Sequence, residues 1–342
     1  MYGAGGYGQL VARSLLGRGL AVHGIIDRRA CDPGFAASLP VPAVLPDHVD
    51  AEAAVDGVLV VGIHNFAVDP APILAWAKAK GFGEIIVPGE LPDLIGPELG
   101  SYWLTAREHS TGHLDAIEQA SGLVADAHSR EVLTGIAGFR ITADHALHPA
   151  SHQASQYFPP DVPLAHEPLC LVDGGAFTGD ALASVRASGR SLAQWFAFEP
   201  DLANFAALVA TARDPDVGMA ALFPCGLGER TAQIRFASGE SAGSHAADNG
   251  DSMVQVVALD EVLPTIAPNY IKLDIEGAER SALTGMRRTL ERCRPALAVS
   301  IYHRPEDLWE LPLLVHQLLP EARLFVRQHG FNGFDTVLYA VH

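Results

Sequence analysis

Apolar residues along this chain fall in short runs separated by Gly, Pro and charged residues, a texture that suits strands buried on both faces of a parallel sheet. The first pattern is a Gly-rich turn, Gly3-Ala4-Gly5-Gly6-Tyr7-Gly8, with helical spacing over Gln9–Leu16 and then an apolar stretch, Val22–Asp27, that ends in an acid. Val55–Ile63 predicts a buried strand, Ala71–Lys80 a helix, and Glu84–Val87 a strand closed by Pro88. This order of strand, helix and strand predicts a small parallel sheet over residues 1–100, although only Met1 and Tyr2 stand where the first strand should deliver the turn. From Gly100 to His166 the spacing turns helical and polar, as in Leu114–Ala120, and residues 101–165 read as a bridging segment. A second α/β pattern fills 166–342.

That second pattern opens on Leu169–Asp173, an apolar strand ending in an acid, and turns through Gly174-Gly175-Ala176-Phe177-Thr178-Gly179-Asp180. The spacing Asp173-x-Gly175-x-Phe177-x-Gly179 resembles the first motif of class I methyltransferases, with Phe177 where the middle glycine is usual. Gly175 would let the backbone approach a cofactor, and Gly179 would let the next helix pack close; Asp173 would orient the turn or receive an ammonium group. The next strand, Gln194–Glu199, ends in an acid about 20 positions after Gly179, where a carboxylate can accept both ribose hydroxyls of an adenosine cofactor. The plainer alternative for Glu199 is a solvated residue before a helix starting at Pro200. Met219–Phe223, Tyr270–Ile275, Ala296–Tyr302, Ala322–Arg327 and Asp335–Val341 complete seven strands. Gln328–Phe334 is too short for a helical crossover, so the last two strands should pair antiparallel. The expected class is α/β with two Rossmann-like domains, the C-terminal one a class I methyltransferase seven-stranded sheet with an antiparallel last strand.

Charge narrows the partners. With 23 Lys+Arg against 40 Asp+Glu the net charge is −17, which argues against nucleic acid and anionic membranes and for a small-molecule substrate. No apolar stretch is long enough to span a bilayer, and the N-terminus lacks signal-peptide character, so a cytoplasmic protein is expected. Cys31, Cys170, Cys225 and Cys293 lie far apart and read as four buried thiols of a reducing compartment. His109 and His113, and then His145, His148 and His152 after Asp144, have helix-like spacing, but Pro149 interrupts the second set and no metal ligand is assigned.

Tyr270-Ile271-Lys272-Leu273-Asp274-Ile275-Glu276-Gly277-Ala278-Glu279, together with Val172–Ala176, Phe198-Glu199-Pro200, Ala258–Glu261 and Arg294-Pro295, resembles the FkbM-type methyltransferases over roughly residues 155–342. The resemblance implies S-adenosylmethionine as donor and, commonly, a hydroxyl acceptor on a sugar, nucleotide-sugar or small natural product. Gln156-Tyr157-Phe158-Pro159 and Ser300–Trp309 resemble a bacterial subset with an N-terminal sheet domain. By that likeness the cofactor set is Asp173, Gly175, Phe177, Thr178, Gly179, Glu199, Tyr157 and Ser244, the last in a loop near the adenine. Open parallel sheets bind ligands beyond the carboxyl ends of their strands, so Asp173, Glu199, Asp274 and Tyr302-His303 should share one rim. A hydroxyl acceptor needs a base, and Asp274, Glu276 and His303 are the candidates, His303 titrating nearest neutrality. Quieter roles compete: a Lys272–Glu279 pair, or Glu276 capping a helix from Gly277. Mg²⁺ on Asp274, Glu276 and His303 is a minority reading, because no triad of oxygen ligands is legible. The N-terminal pattern Tyr2–Gly8 with Gly24–Asp27 resembles the nucleotide-sugar-binding domain of bacterial sugar acyltransferases, and NAD(P) or nucleotide-sugar binding by that domain is the competing function. A non-catalytic scaffold is the third alternative, and homo-oligomerisation is compatible with all three.

Overall fold

Short apolar strands and a Gly-rich turn produce two separate α/β units. The computed structural model describes residues 1–152, 155–164, 167–214, 217–237, 245–246 and 252–342. One unit comprises Met1–Leu114, Thr134–Ala150 and Gly330–Phe334; the other comprises Asp115–Leu133, Ser151–His329 and Asp335–His342. The segment 101–165, expected as a bridge, is therefore divided between the two.

In the first unit, helix α1 (Gly6–Gly17) follows the Gly-rich turn, and the sheet is built from β1 (Ile25–Ile26), β2 (Ala43–Val44), β3 (Val58–Val60) and β4 (Glu84–Ile86), with helix α2 (Ala71–Lys80) between the last two. β1 pairs with β2 and β3 with β4, both parallel. Tyr2 bridges the halves, pairing parallel with Ile26 and with Val61. The resulting order, β2-β1-Tyr2-β3-β4, is that of a Rossmann sheet in which Tyr2 alone pairs at the position of the first strand. Val11, Ala12 and Leu15 on one face of α1 pack with Ile25, Leu91 and Leu99, whereas Val55, expected in a strand, ends a short helix and is exposed. Phe331, Asn332 and Gly333 belong to this unit: Trp103 Nε1 donates to Asn332 O at 2.9 Å, and the Gly333 amide donates to His148 Nε2 at 2.8 Å. His148 is thereby engaged as a structural acceptor, and His145 packs on Phe139.

The second unit is organised by a seven-stranded sheet. Its strands are β5 (Leu169–Gly174), β6 (Leu192–Phe198) and β7 (Val217–Phe223); after a small separate sheet of β8 (Gly226–Leu227), β9 (Ala232–Ala237), β10 (His245–Ala246) and β11 (Ser252–Val257), they continue with β12 (Tyr270–Leu273), β13 (Ala296–Ser300), β14 (Arg323–Gln328) and β15 (Thr336–Val341). The large sheet has the order β14-β15-β13-β12-β5-β6-β7, and only the pairings of β15 are antiparallel. Helices α3 (Asp180–Ala187), α4 (Leu202–Thr211), α5 (Glu279–Gly285) and α6 (Asp307–Leu318) lie in this unit. Trp195, Phe198, Tyr270 and Tyr339 are the bulkiest apolar side chains sealed inside it, and truncating any one to Ala would cost about 3–5 kcal/mol. The small sheet was not anticipated, and Ser244 lies outside the described residues. α4 begins two residues after Pro200 and is capped by Asp201, whose carboxylate accepts from the Ala203 and Asn204 amides.

The thiols depart from expectation. Only Cys225 is buried; Cys31 is exposed in the turn after β1, and Cys170 and Cys293 are half-buried at element ends, where packing is incomplete. No helix among the described residues is long and apolar enough to cross a membrane.

A buried cation anchors β14. Arg327 donates to Asp126 Oδ2 at 2.8 Å and to Asp161 Oδ2 at 2.7 Å. Burial would raise the Asp126 carboxyl, but Arg327 and the Ser129 amide and hydroxyl outweigh it and bring it down to about 2. A carboxyl lowered on folding stabilises above its ordinary value and loses that contribution as pH falls from about 4 towards 2. Urea unfolding should therefore show Asp126→Asn less stable than wild type at pH 7, with the gap shrinking by pH 2.5. A gap independent of pH would contradict this.

Candidate functional site

The carboxyl ends of β5, β6, β12 and β13 bring the predicted residues into one connected set. β5 delivers Asp173, which is fully buried; its Oδ1 lies 3.1 Å from Lys272 Nζ, and its Oδ2 accepts from Trp195 Nε1 at 3.1 Å. Lys272 also donates to Gly175 O at 2.5 Å. Burial alone would lower the Lys272 ammonium, but Asp173 and the nearby Asp180 and Asp274 charges outweigh it and hold Lys272 protonated. Asp173 thus shapes the turn from beneath, the first of its two expected roles. Lys272 pairs with Asp173 and not, as the sequence suggested, with Glu279.

Above this ion pair the chain turns sharply. Gly175 has φ +71°, and a Cβ there would lie 1.9 Å from Asp274 O, so any side chain would force β5 and β12 apart. Gly179, at φ +98°, comes so close to α4 that a Cβ would meet Thr211 Cγ2 at 2.6 Å, and Thr211 Oγ1 donates to Thr178 O at 2.7 Å. Phe177 takes the left-handed backbone, φ +46°, that glycine adopts without cost. Its amide donates to Glu199 Oε2 at 2.8 Å, and the Asp201 amide donates to Glu199 Oε1, also at 2.8 Å. Glu199 is 5% exposed, so it is not the solvated residue of the plainer reading. Burial lifts its carboxyl above the ordinary range, and the two amides partly offset this. Each oxygen keeps a second lone pair for a further donor.

β12 and β13 supply the other side. Asp274 Oδ2 accepts from the Tyr157 hydroxyl at 2.8 Å, which places Tyr157 on the acid and not in the turn. His303 Nε2 lies 3.3 Å from Asp274 Oδ1 and 3.8 Å from Glu276 Oε2. On its other edge Nδ1 lies 2.8 Å from Glu279 Oε1. Because a carboxylate only accepts, Nδ1 carries a proton. Glu279 is fully buried, opens α5, and also accepts from the Ile275 amide at 2.9 Å. Glu276 therefore does not cap a helix from Gly277. It sits at φ +55°, a second strained residue beside the site.

Carboxylates dominate this corner. Burial would lower the His303 imidazole, but Glu279, Glu276 and Asp274 outweigh it and hold it well above its ordinary value. The expectation that His303 titrates near neutrality is thus corrected: three acids around one ring stabilise the imidazolium. Burial would raise Asp274, yet His303, Lys272 and the Tyr157 hydroxyl hold it well below the usual carboxylate range. Burial and the Asp274 charge push Asp335 up to about 7, and burial pushes Asp180 up to about 6. Glu279, Asp335 and Trp195 were not expected here. Nothing in their spacing marks them, since each enters from a different element: Trp195 within β6, Glu279 at the start of α5 and Asp335 just before β15.

In the first unit the acid of the Gly-rich fingerprint is occupied. Asp27 Oδ2 accepts from the Ala4 amide at 2.9 Å, and Arg29 binds the same carboxylate through Nε and Nη2 at 3.1 and 2.9 Å. These contacts tie the end of β1 to the turn. Burial would raise Asp27, and Arg29 with the Ala4 amide outweighs it.

Comparison with known proteins agrees with this architecture. Over 94% of this chain and 84% of that one, the fold is similar to a crystal structure of Methyltransferase FkbM from Methylobacillus flagellatus KT, with a TM-score of 0.77 and 22% sequence identity. That likeness shows the fold, including the reversed β15. A complex of the Haloferax volcanii Trm112 methyltransferase activator with a methyltransferase aligns over 68% of this chain and 92% of that one, but at a TM-score of 0.27 and 10% identity it carries no argument. Comparison with curated proteins gives no match. Residues 173–332 match the Methyltransferase FkbM domain, and the C-terminal part of this chain is similar to methyltransferases of the FkbM type.

Proposed function

We propose that the second unit transfers a methyl group from S-adenosylmethionine to a hydroxyl of a sugar, nucleotide-sugar or small natural product. The observation that carries this reading is Glu199, a buried carboxylate that is hydrogen-bonded to the turn amide of Phe177 and retains lone pairs for two ribose hydroxyls. Gly175, Phe177, Thr178 and Gly179 form the turn over which the cofactor's methionine portion would lie, with Asp173 and Lys272 supporting it from below. Asp274 and Glu276 stand at the acceptor end, where they hold the hydroxyl in line with the methyl carbon and draw off its proton, while the His303 imidazolium holds both acids in place.

For the first unit, the Rossmann strand order and the Gly-rich turn favour recognition of a nucleotide-bearing acceptor. Asp27 accepts from Arg29 and from the Ala4 amide, and NAD(P) binding by this unit stays the competing function. Isothermal titration should show the intact chain binding S-adenosylmethionine, and methyl-labelled donor should then mark nucleotide-sugars in preference to the corresponding free sugars. Absence of donor binding overturns the reading; equal labelling of both acceptor classes removes the role given to the first unit.

A further inference from the structure

Because β15 runs opposite to β13, the residues that open it lie at the carboxyl end of β13, on the rim that carries Asp274 and His303. Thr336 O accepts from the Ile301 amide at 2.9 Å, and Asp335 O accepts from the His329 amide at 3.0 Å, so Asp335 is fixed between the ends of β13 and β14. It is half-buried and holds the left-handed backbone, φ +53°. Glu276, at φ +55° after β12, is strained in the same way, and strain of this kind gathers at functional sites. The Tyr302 hydroxyl donates to the Asp335 carboxylate, and the charges of Asp274 and His303 act on it from the ends of β12 and β13. From its own strand Asp335 faces Tyr339. Tyr302 is buried, with its ring centroid 4.2 Å from that of His303, so the hydroxyl is held in place.

We propose that Asp335 is a further catalytic residue, the carboxylate on which the acceptor's proton comes to rest, and that the Tyr302 hydroxyl positions it. This role rests on the methyltransferase reading above. Asp274 is held well below the usual carboxylate range, so a proton drawn towards it at neutral pH is passed on and not kept. Asp335, pushed up to about 7 by burial and by the Asp274 charge, can keep it. In the step the acceptor O–H bond breaks and its proton ends on Asp335. The oxygen's electron pair forms the bond to the methyl carbon, and the methyl–sulfur bond breaks with its pair going to sulfur. Asp335 is only half-buried, so it can return the proton to solvent after transfer.

The test uses the intact chain, saturating methyl-labelled S-adenosylmethionine and, as acceptors, UDP-glucose and GDP-mannose. Single-turnover rates are followed across neutral pH, and donor binding is measured calorimetrically on the same samples. The wild-type rate should rise with pH through about 7 and then level, because a base acts only when deprotonated. Asp335→Asn should slow transfer about a hundredfold or more and abolish the inflection, with donor affinity kept. Tyr302→Phe removes a hydrogen bond that favours the carboxylate, so its inflection should move to higher pH, which a merely structural tyrosine would not cause. An inflection and rate unchanged in Asp335→Asn overturn the role of Asp335 and leave the methyltransferase reading standing. Should that variant fail to fold, an unmoved inflection in Tyr302→Phe overturns it instead. Donor binding without labelling of either acceptor removes the nucleotide-sugar class and this role with it, whereas absence of donor binding overturns the methyltransferase reading itself.

Discussion

Replacing Lys272 with Met should lower the unfolding free energy of the second unit by about 3–5 kcal/mol, the cost of removing one partner from a buried ion pair. The two side chains are 1% and 0% exposed, so no water can take over when the ammonium is gone. Asp173 would be left with the Trp195 indole as its remaining donor, and Gly175 O would lose the Lys272 hydrogen bond. The damage should spread to the turn, since Gly175 has no slack against Asp274 O. Urea unfolding measures the first effect and donor titration the second. The double variant Lys272→Met with Asp173→Asn should recover part of the stability, because the stranded charge is removed along with its partner. A loss below about 1 kcal/mol in the single variant would show that the pair is not the support assigned to it here.

Glu199→Ala should cut S-adenosylmethionine affinity about a hundredfold or more, because charged acceptors to two ribose hydroxyls are each worth about 1.5–3 kcal/mol. The same change strands the amides of Phe177 and Asp201, so some stability is lost as well. Glu199→Gln separates the two effects. The amide oxygen can satisfy one of the two backbone donors, while the carboxylate charge that would face the ribose hydroxyls disappears. Calorimetry should therefore find Gln intermediate in affinity, with a melting temperature nearer to wild type than that of Ala. Undiminished affinity in Ala would remove Glu199 from the cofactor site and leave it as a brace for the turn.

Strand ends were legible for a local reason. A buried parallel strand is an apolar run, and when it stops at a ligand-binding rim it stops at a polar or glycine residue. Leu169–Asp173 and Gln194–Glu199 each showed both halves of that signature, and these strands and Tyr270–Ile275 appear within a few residues of expectation. The reversed β15 followed from chain length alone, since Gln328–Phe334 cannot carry a crossover. Tyr2 was harder to read. One paired residue has no periodicity, and only its neighbours Ile26 and Val61 make it a strand.

Side-chain partnerships were a different matter. Lys272 and Glu279 suggested a pair by their closeness in sequence, but β12 is extended at Lys272, and its side chain points beneath the turn to Asp173. Glu279 begins a helix and meets His303, which arrives from the end of β13. The sequence by itself determined the two α/β units, the order of motifs and the rim on which the acids and His303 would gather. The tertiary structure alone decided which acid meets Lys272, which meets the turn amides and which surround His303. Periodicity records whether a residue faces a core, whereas charge, tautomer and pKa depend on atoms within a few ångströms, drawn here from segments more than a hundred residues apart.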